Sequence, residues 1–268
     1  MRIFNSILVK SMSDCDHVLL EGTPPQIPGV LKGGKILNQN RYKPICQTYR
    51  NKRRFVTLYD IKNRIPVFSA YKYRGVEGKG RPKKHWKIDH QAVDTDFRSN
   101  GTFDRGHVIP SSYGSTENDK RSTFTLTNIV PQAGSFNKGS WNRMESCVRC
   151  VMDKYCTNSS GFTEGFVVTG AQPSSSNILN NRVNIPSTLW TAFCCYSADM
   201  NVWIASAHWG NNVPDVIHLL LLLQHLVTFP KHLSLKCKHP FVYCNICPII
   251  FYVCPSNVII CPSNVMCP

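Results

Sequence analysis

The sequence predicts an α+β fold with a mixed or antiparallel β core. Two observations predict it. Runs rich in β-branched and aromatic residues recur along the chain with short turns between them, and one long stretch, Ser135 to Cys156, reads as a helix. With 268 residues and 42% hydrophobic content, the chain is long enough to bury one core of ordinary size or two small ones. One main domain with additions is expected.

Residues 1–44 read as an irregular lead-in, because "EGTPPQIPGVLKGGK" (Glu21 to Lys35) is rich in Pro and Gly. The main domain is expected over 45–210. It opens with two strands, "RRFVTLYD" (Arg53 to Asp60) and "RIPVFSAYKY" (Arg64 to Tyr73), joined by a hairpin turn at "IKN". A third strand carries "TFDRGHVIPSS" (Thr102 to Ser112); if Phe103 to Val108 is extended, alternation turns Arg105 and His107 to the same side. "FTLTNIVPQ" (Phe124 to Gln132) reads as a further strand. The helix that follows has Ser135 as its candidate N-cap and carries Asn137, Trp141 and Glu145 at i, i+4 and i+8, within roughly 80° of one another at about 100° per residue. Strands at Glu164 to Gln172, Ser187 to Ser197 and Asn201 to Trp209 complete the domain.

Residues 211–268 differ in character and read as an atypical Cys-rich hydrophobic tail rather than a folded domain. "VIHLLLLLQHLVTF" (Val216 to Phe229) is too short and too interrupted for a membrane span, which needs about 20 mainly apolar residues. The repeated "CPSNV" and the Cys-x-x-Cys in "CNIC" offer only part of a zinc pattern.

The formal net charge is +15, and thirteen of the 31 Lys and Arg fall between Arg50 and Lys87, against only Asp60 and Glu77. This points to a polyanionic partner such as nucleic acid, a sulfated glycan or an anionic membrane surface. Within that stretch "KGRPKKHWKID" (Lys79 to Asp89) reads as a basic loop whose Trp86 packs or stacks. Thirteen Cys and two sequons, Asn100-Gly-Thr and Asn158-Ser-Ser, favour an oxidising compartment, whereas the N-terminus, with its apolar run broken by Asn5 and Ser6, makes a poor signal peptide.

Taken singly, the polar residues have ordinary structural readings. Asn137 is a helix-start residue, Glu145 belongs to a solvated helix face, and Arg105 is an ion-pair partner for Asp104. The ordered set "DRGH", "TNIVPQ" and "FNKGSWNRME" is far more specific than any one piece. It resembles the DNA/RNA non-specific endonuclease family with its ββα-metal (His-Me finger) site. Within that family, "ICQTYRNKRRFVTLYD" and "NRIPVFSAYKY" are similar to the vertebrate endonuclease domain-containing 1-like proteins. The resemblance covers about Cys15 to Trp209 and implies secretion.

The resemblance implies the ββα-metal nuclease fold and cleavage of DNA and RNA with little sequence selectivity. It implies His107 as general base, Asn137 as the protein ligand of a single Mg²⁺ (or Mn²⁺), Glu145 as a holder of the ion's water, and Arg105 as a stabiliser of phosphate charge. Asn128 and Gln132 are supporting polar residues, Asn128 the closer to metal and phosphate. Lys84 stands where the family has a substrate-side Arg or Lys, and Arg81, Lys83 and Lys87 join it as phosphate contacts.

Phosphodiester hydrolysis independently asks for these residue types: an activated water, a cation at the phosphate oxygens, and positive charge for the transition state. Mg²⁺ takes few protein ligands and retains waters, which a neutral Asn oxygen suits. The alternative is a catalytically inactive, secreted protein of the same fold that binds nucleic acid or glycan. Cys15 with Cys46 is an expected bridge; Cys147 and Cys150 are neighbours on the helix, and Cys194 and Cys195 cannot both point inward from one strand.

Overall fold

The computed structural model describes residues 7–77, 80–82, 86, 93, 95, 101–215 and 252–254. Ile7–Leu8 (β1) precedes a 3-10 segment, Met12–Val18, and a small hairpin of Leu31–Lys32 (β2) and Lys35–Ile36 (β3). Three long strands follow, Tyr42–Tyr49 (β4), Lys52–Asp60 (β5) and Ile65–Tyr73 (β6). The middle of the chain holds Phe103–His107 (β7), Glu117–Ser122 (α1), Ile129–Ala133 (β8), Gly134–Lys138 (α2) and Ser140–Tyr155 (α3). Gly165–Gln172 (β9), the minor pair Ile178–Leu179 (β10) and Val183–Asn184 (β11), Thr188–Ser197 (β12), Val202–Asn211 (β13) and Tyr252–Cys254 (β14) come last.

Among the described residues, eight strands form one antiparallel sheet in the order β1-β4-β5-β6-β9-β12-β13-β14. Both faces of this sheet are covered, which is why its central strands read as apolar runs rather than alternating patterns. On one face Phe55, Tyr71, Tyr73, Val167 and Phe193 pack with Val148, Val151 and Met152 of α3. On the other, Val56, Leu58, Phe68 and Ala70 pack with Met12, Cys15 and Val18. The lead-in is therefore irregular in backbone yet part of the core, and the Cys15–Cys46 disulfide ties it to β4.

Strand β4 falls outside every strand expected from the sequence. Pro44 interrupts the apolar pattern and Gln47 reads as a surface residue, but the Gln47 amide is buried and donates to the Thr127 hydroxyl at 2.7 Å. The Phe124 to Gln132 stretch also differs from a continuous strand. Leu126–Asn128 forms a 3-10 turn, and the strand β8 begins at Ile129.

The strands β7 and β8 stand apart as a two-stranded ribbon. Ile129 and Val130 of the ribbon pack with Phe136, Trp141 and the large-sheet residues Ile45, Tyr59 and Leu189. Cys195 faces α3 and is bonded to Cys156, while Cys147 and Cys194 are also in disulfides.

The folded chain continues past the boundary expected after 210. The buried Asn212 side chain accepts from the Ala133 N–H at 2.8 Å and donates to the carbonyls of Pro131 (3.0 Å) and Pro186 (2.9 Å). It thereby clamps β8 from the end of β13. The apolar stretch 216–229 and the CPSNV repeat lie outside the described residues. Among the described residues no helix is long and apolar enough to cross a membrane.

Candidate active site

The ribbon sets the first half of the site. Its antiparallel register pairs His107 with Ile129 and Arg105 with Pro131, so Arg105 and His107 project to one side of β7, as alternation predicts. Gly106 lies between them with its other side against the Gln132 side chain. A Cβ there would come 2.7 Å from the Gln132 Cβ, so the close approach of the ribbon's two strands requires glycine. Gln132 is fully buried and its amide makes no hydrogen bond to any described residue.

The second half comes from α2 and α3. A single helix from Ser135 to Cys156 is expected from the sequence, but the structure breaks it at Gly139, whose backbone (φ −100°, ψ −110°) is not helical. A Cβ on Gly139 would collide with the Ser135 carbonyl and the Asp215 carboxylate. Asp215 fills that space and caps α3, accepting from the Ser140 N–H (2.8 Å) and hydroxyl (2.7 Å). Its own N–H donates to the Ser135 hydroxyl at 2.9 Å. Ser135 therefore joins Asp215 across the break rather than capping a continuous helix.

The break also undoes the i, i+4, i+8 stripe. Trp141 turns into the core against Phe136, with ring centroids 5.5 Å apart, while Asn137 and Glu145 line the cleft from two different helices. Asn137 is held by Asp104, whose carboxylate accepts from the Asn137 amide nitrogen at 3.0 Å and pairs with Lys138 at 2.8 Å. Only the NH₂ end of an amide can donate to a carboxylate. The Asn137 carbonyl oxygen is thus the end left for other partners.

The cleft between ribbon and helices collects His107, Arg105, Asn137, Glu145 and Arg81. His107 is 8% exposed and packed edge-on against Phe124, with centroids 4.8 Å apart, and against Trp86 at 5.4 Å. The Arg105 guanidinium lies 5.4 Å from the Trp86 ring centre, and that of Arg81 lies 5.4 Å from the Phe124 ring centre. Trp86 thus packs on both members of the His107–Arg105 pair. Lys83, Lys84 and Lys87 lie outside the described residues.

Asn128 differs from its expected place near metal and phosphate. It is fully buried, and its amide holds backbone: Oδ1 accepts from the Ile109 N–H (3.0 Å), and Nδ2 donates to the carbonyls of Ile109 (3.0 Å) and Thr123 (3.1 Å). It fixes the turn that follows His107 instead of facing the cleft. Two cations escaped the sequence reading. Arg149 stands one helical turn beyond Glu145 on the cleft wall, and the nearly buried Lys120 donates to the Gly80 carbonyl at 3.3 Å. Helical spacing from Glu145 is a signal that could have found Arg149; nothing in the local pattern marks Lys120.

Burial pushes the Glu145 carboxyl up to about 8; the Trp141 indole and the Arg81 charge oppose this in part. The indole N–H closes no hydrogen bond to any described residue, so burial dominates. Among the described residues no cluster of three or more His, Cys, Asp or Glu could form a multi-ligand metal cage. The Asn137 amide oxygen and the Glu145 carboxylate line the cleft together with the oxygens of Asp104, Asn142 and Asp153, of which Asp104 is engaged by Asn137 and Lys138. Oxygen groups of this kind fit a hard divalent ion that keeps most of its water.

Residues 32–214 match the model of the DNA/RNA non-specific endonuclease family. The human Endonuclease domain-containing 1 protein is 28% identical over 211 residues, covering 68% of this chain and 39% of that protein. A Nostoc nuclease is 30% identical over 111 residues, covering 41% of this chain and 38% of the nuclease. The chain therefore spans well under half the length of these relatives. Among solved structures, EndoG in its complex with EndoGI, described for the mechanism of EndoG inhibition, superposes with a TM-score of 0.52 at 23% identity, over 63% of this chain and 75% of EndoG. That likeness concerns the fold alone, a ββα-metal arrangement with antiparallel strands and few helices. The family match and the ordered site residues lead to one conclusion: this chain belongs to the DNA/RNA non-specific endonuclease family.

Proposed function

We propose that this protein is a Mg²⁺-dependent (or Mn²⁺-dependent) endonuclease that hydrolyses phosphodiester bonds of DNA and RNA with little sequence selectivity. One observation carries the reading. His107 and Arg105 from the ribbon, Asn137 from α2 and Glu145 from α3 meet in one cleft, although they are up to 40 residues apart in sequence.

His107 takes the proton of the attacking water, a role suited to an imidazole ring nitrogen, which can accept a proton. Its aromatic neighbours hold the ring in place for that transfer. Arg105 balances the charge that builds on the phosphate, and Arg81 extends positive charge along the cleft. The Asn137 carbonyl oxygen would hold the ion, and the Glu145 carboxylate would accept hydrogen bonds from its water. When bound, the ion would supply positive charge to the phosphate. Lys83, Lys84 and Lys87 complete the proposed phosphate track, whose contacts carry no base information. The disulfides of Cys15–Cys46 and Cys156–Cys195 support a secreted protein.

Nicking of supercoiled plasmid tests the reading. Wild-type protein should cut in Mg²⁺ and not in EDTA, and His107→Ala should lower the rate by at least ~10²-fold without loss of fold. Equal activity in the purified variant refutes His107 as the base. Binding without cutting by wild type favours the inactive, polyanion-binding alternative.

A further inference from the structure

The described surface carries one sequon that the nuclease reading leaves unused. Asn158-Ser159-Ser160 sits in a tight turn between α3 and β9, outside the cleft lining. The turn is closed below by the Thr157 to Thr163 bridge and by the Asn158 N–H donating to the Phe162 carbonyl at 2.9 Å. The adjacent Cys156–Cys195 disulfide anchors its base to β12.

Within the turn the Asn158 side chain has a divided role. Its Oδ1 accepts from the N–H groups of Ser160 and Phe162, each at 3.0 Å, and Nδ2 makes no hydrogen bond to any described residue. The Ser160 hydroxyl is likewise without a described partner, and Ser159 and Ser160 are both exposed. The amide nitrogen and the hydroxyl of the acceptor motif are thus both uncommitted among the described residues. Phe162, 71% exposed, places an aromatic ring in water on the same turn. Sugar rings have apolar C–H faces that lie well on aromatic faces, so a sugar on Asn158 gives this ring a partner.

We infer that Asn158 is an N-glycosylation site. The acceptor is Asn158 Nδ2 and the donor is a lipid-linked oligosaccharide. A bond forms between Nδ2 and the anomeric carbon, the bond from that carbon to the pyrophosphate oxygen breaks, Nδ2 loses one proton, and the lipid pyrophosphate leaves. The reaction belongs to the same oxidising, secretory compartment in which the disulfides form. It is independent of whether the cleft cuts nucleic acid.

The test uses the full chain behind a cleavable export leader in eukaryotic cells, with Asn100→Gln as background so that the other sequon is silent. Peptide mass mapping follows the tryptic peptide from Tyr155 to Arg182 before and after peptide:N-glycosidase treatment. The expected result is a glycan on that peptide whose removal converts Asn158 to Asp. Ser160→Ala should abolish it and Ser160→Thr should retain it. Ser160→Ala is the informative variant, because the turn uses only the backbone N–H of Ser160 and the variant keeps every contact of Asn158. Its thermal unfolding and disulfide mapping confirm that it folds. A folded, exported chain with an unmodified Asn158 overturns the inference, as does a modification that persists in Ser160→Ala.

Discussion

Replacing Glu145 with Gln should stabilise the metal-free protein, and only at neutral to alkaline pH. Burial raises this carboxyl from its ordinary 4.5 to about 8, so the folded state binds the proton more tightly than the unfolded state does. Stability therefore declines as pH rises from about 4.5 toward 8, because the charged form is disfavoured in the fold. At about 1.4 kcal/mol per pKa unit, the ceiling is about 5 kcal/mol. Glu145 lines a cleft that water enters, and such screening reduces the expected effect to on the order of 1–2 kcal/mol. For a domain of this size that is roughly 3–6 °C in Tm. Gln keeps the shape and removes the charge. Calorimetry in EDTA should find the variant and wild type close at pH 5 and separated by that margin at pH 8. Adding Mg²⁺ should raise wild type at pH 8 more than the variant, since an ion near the carboxylate offsets its burial. A gap that stays constant from pH 5 to pH 8 refutes the argument.

Asn137→Ala should lose Mg²⁺-supported cleavage and recover part of it at high Mg²⁺, read as a shifted Mg²⁺ titration; an unchanged titration places the ion elsewhere. Asn137→Asp should also unfold more easily, because it replaces the donor to Asp104 with a like charge. Asn212→Ala leaves the Ala133 N–H and two carbonyls without their partner, and a loss of at least about 2 kcal/mol is expected by urea unfolding. Gly106→Ala forces the ribbon's strands apart at Gln132; it should cost about 1–3 kcal/mol in the same assay and lower cleavage by displacing His107.

Local pattern made β5, β6, β9, β12 and β13 legible, since β-branched and aromatic runs mark strands wherever both sheet faces are covered. The ordered motifs likewise brought His107, Arg105, Asn137 and Glu145 to one cleft. What local pattern could not supply was long-range hydrogen bonding. The buried Gln47 gives its amide to Thr127, 80 residues on. Asn128 has the composition of a site residue, but its amide is fully taken by the backbone of Ile109 and Thr123. Helical spacing assumed one axis from Ser135 to Cys156, and the break at Gly139 depends on a carboxylate 76 residues away.

That carboxylate has a consequence for the order of synthesis. Asn137 and Glu145 emerge from the ribosome early, but the group that caps the helix of Glu145 arrives only with Asp215, and the clamp on β8 only with Asn212. A growing chain that has completed every strand through β12 still lacks both. The helix and ribbon that carry the four cleft residues acquire these supports only after β13. A nascent chain built this way keeps the cleft unfinished until β13 has been made.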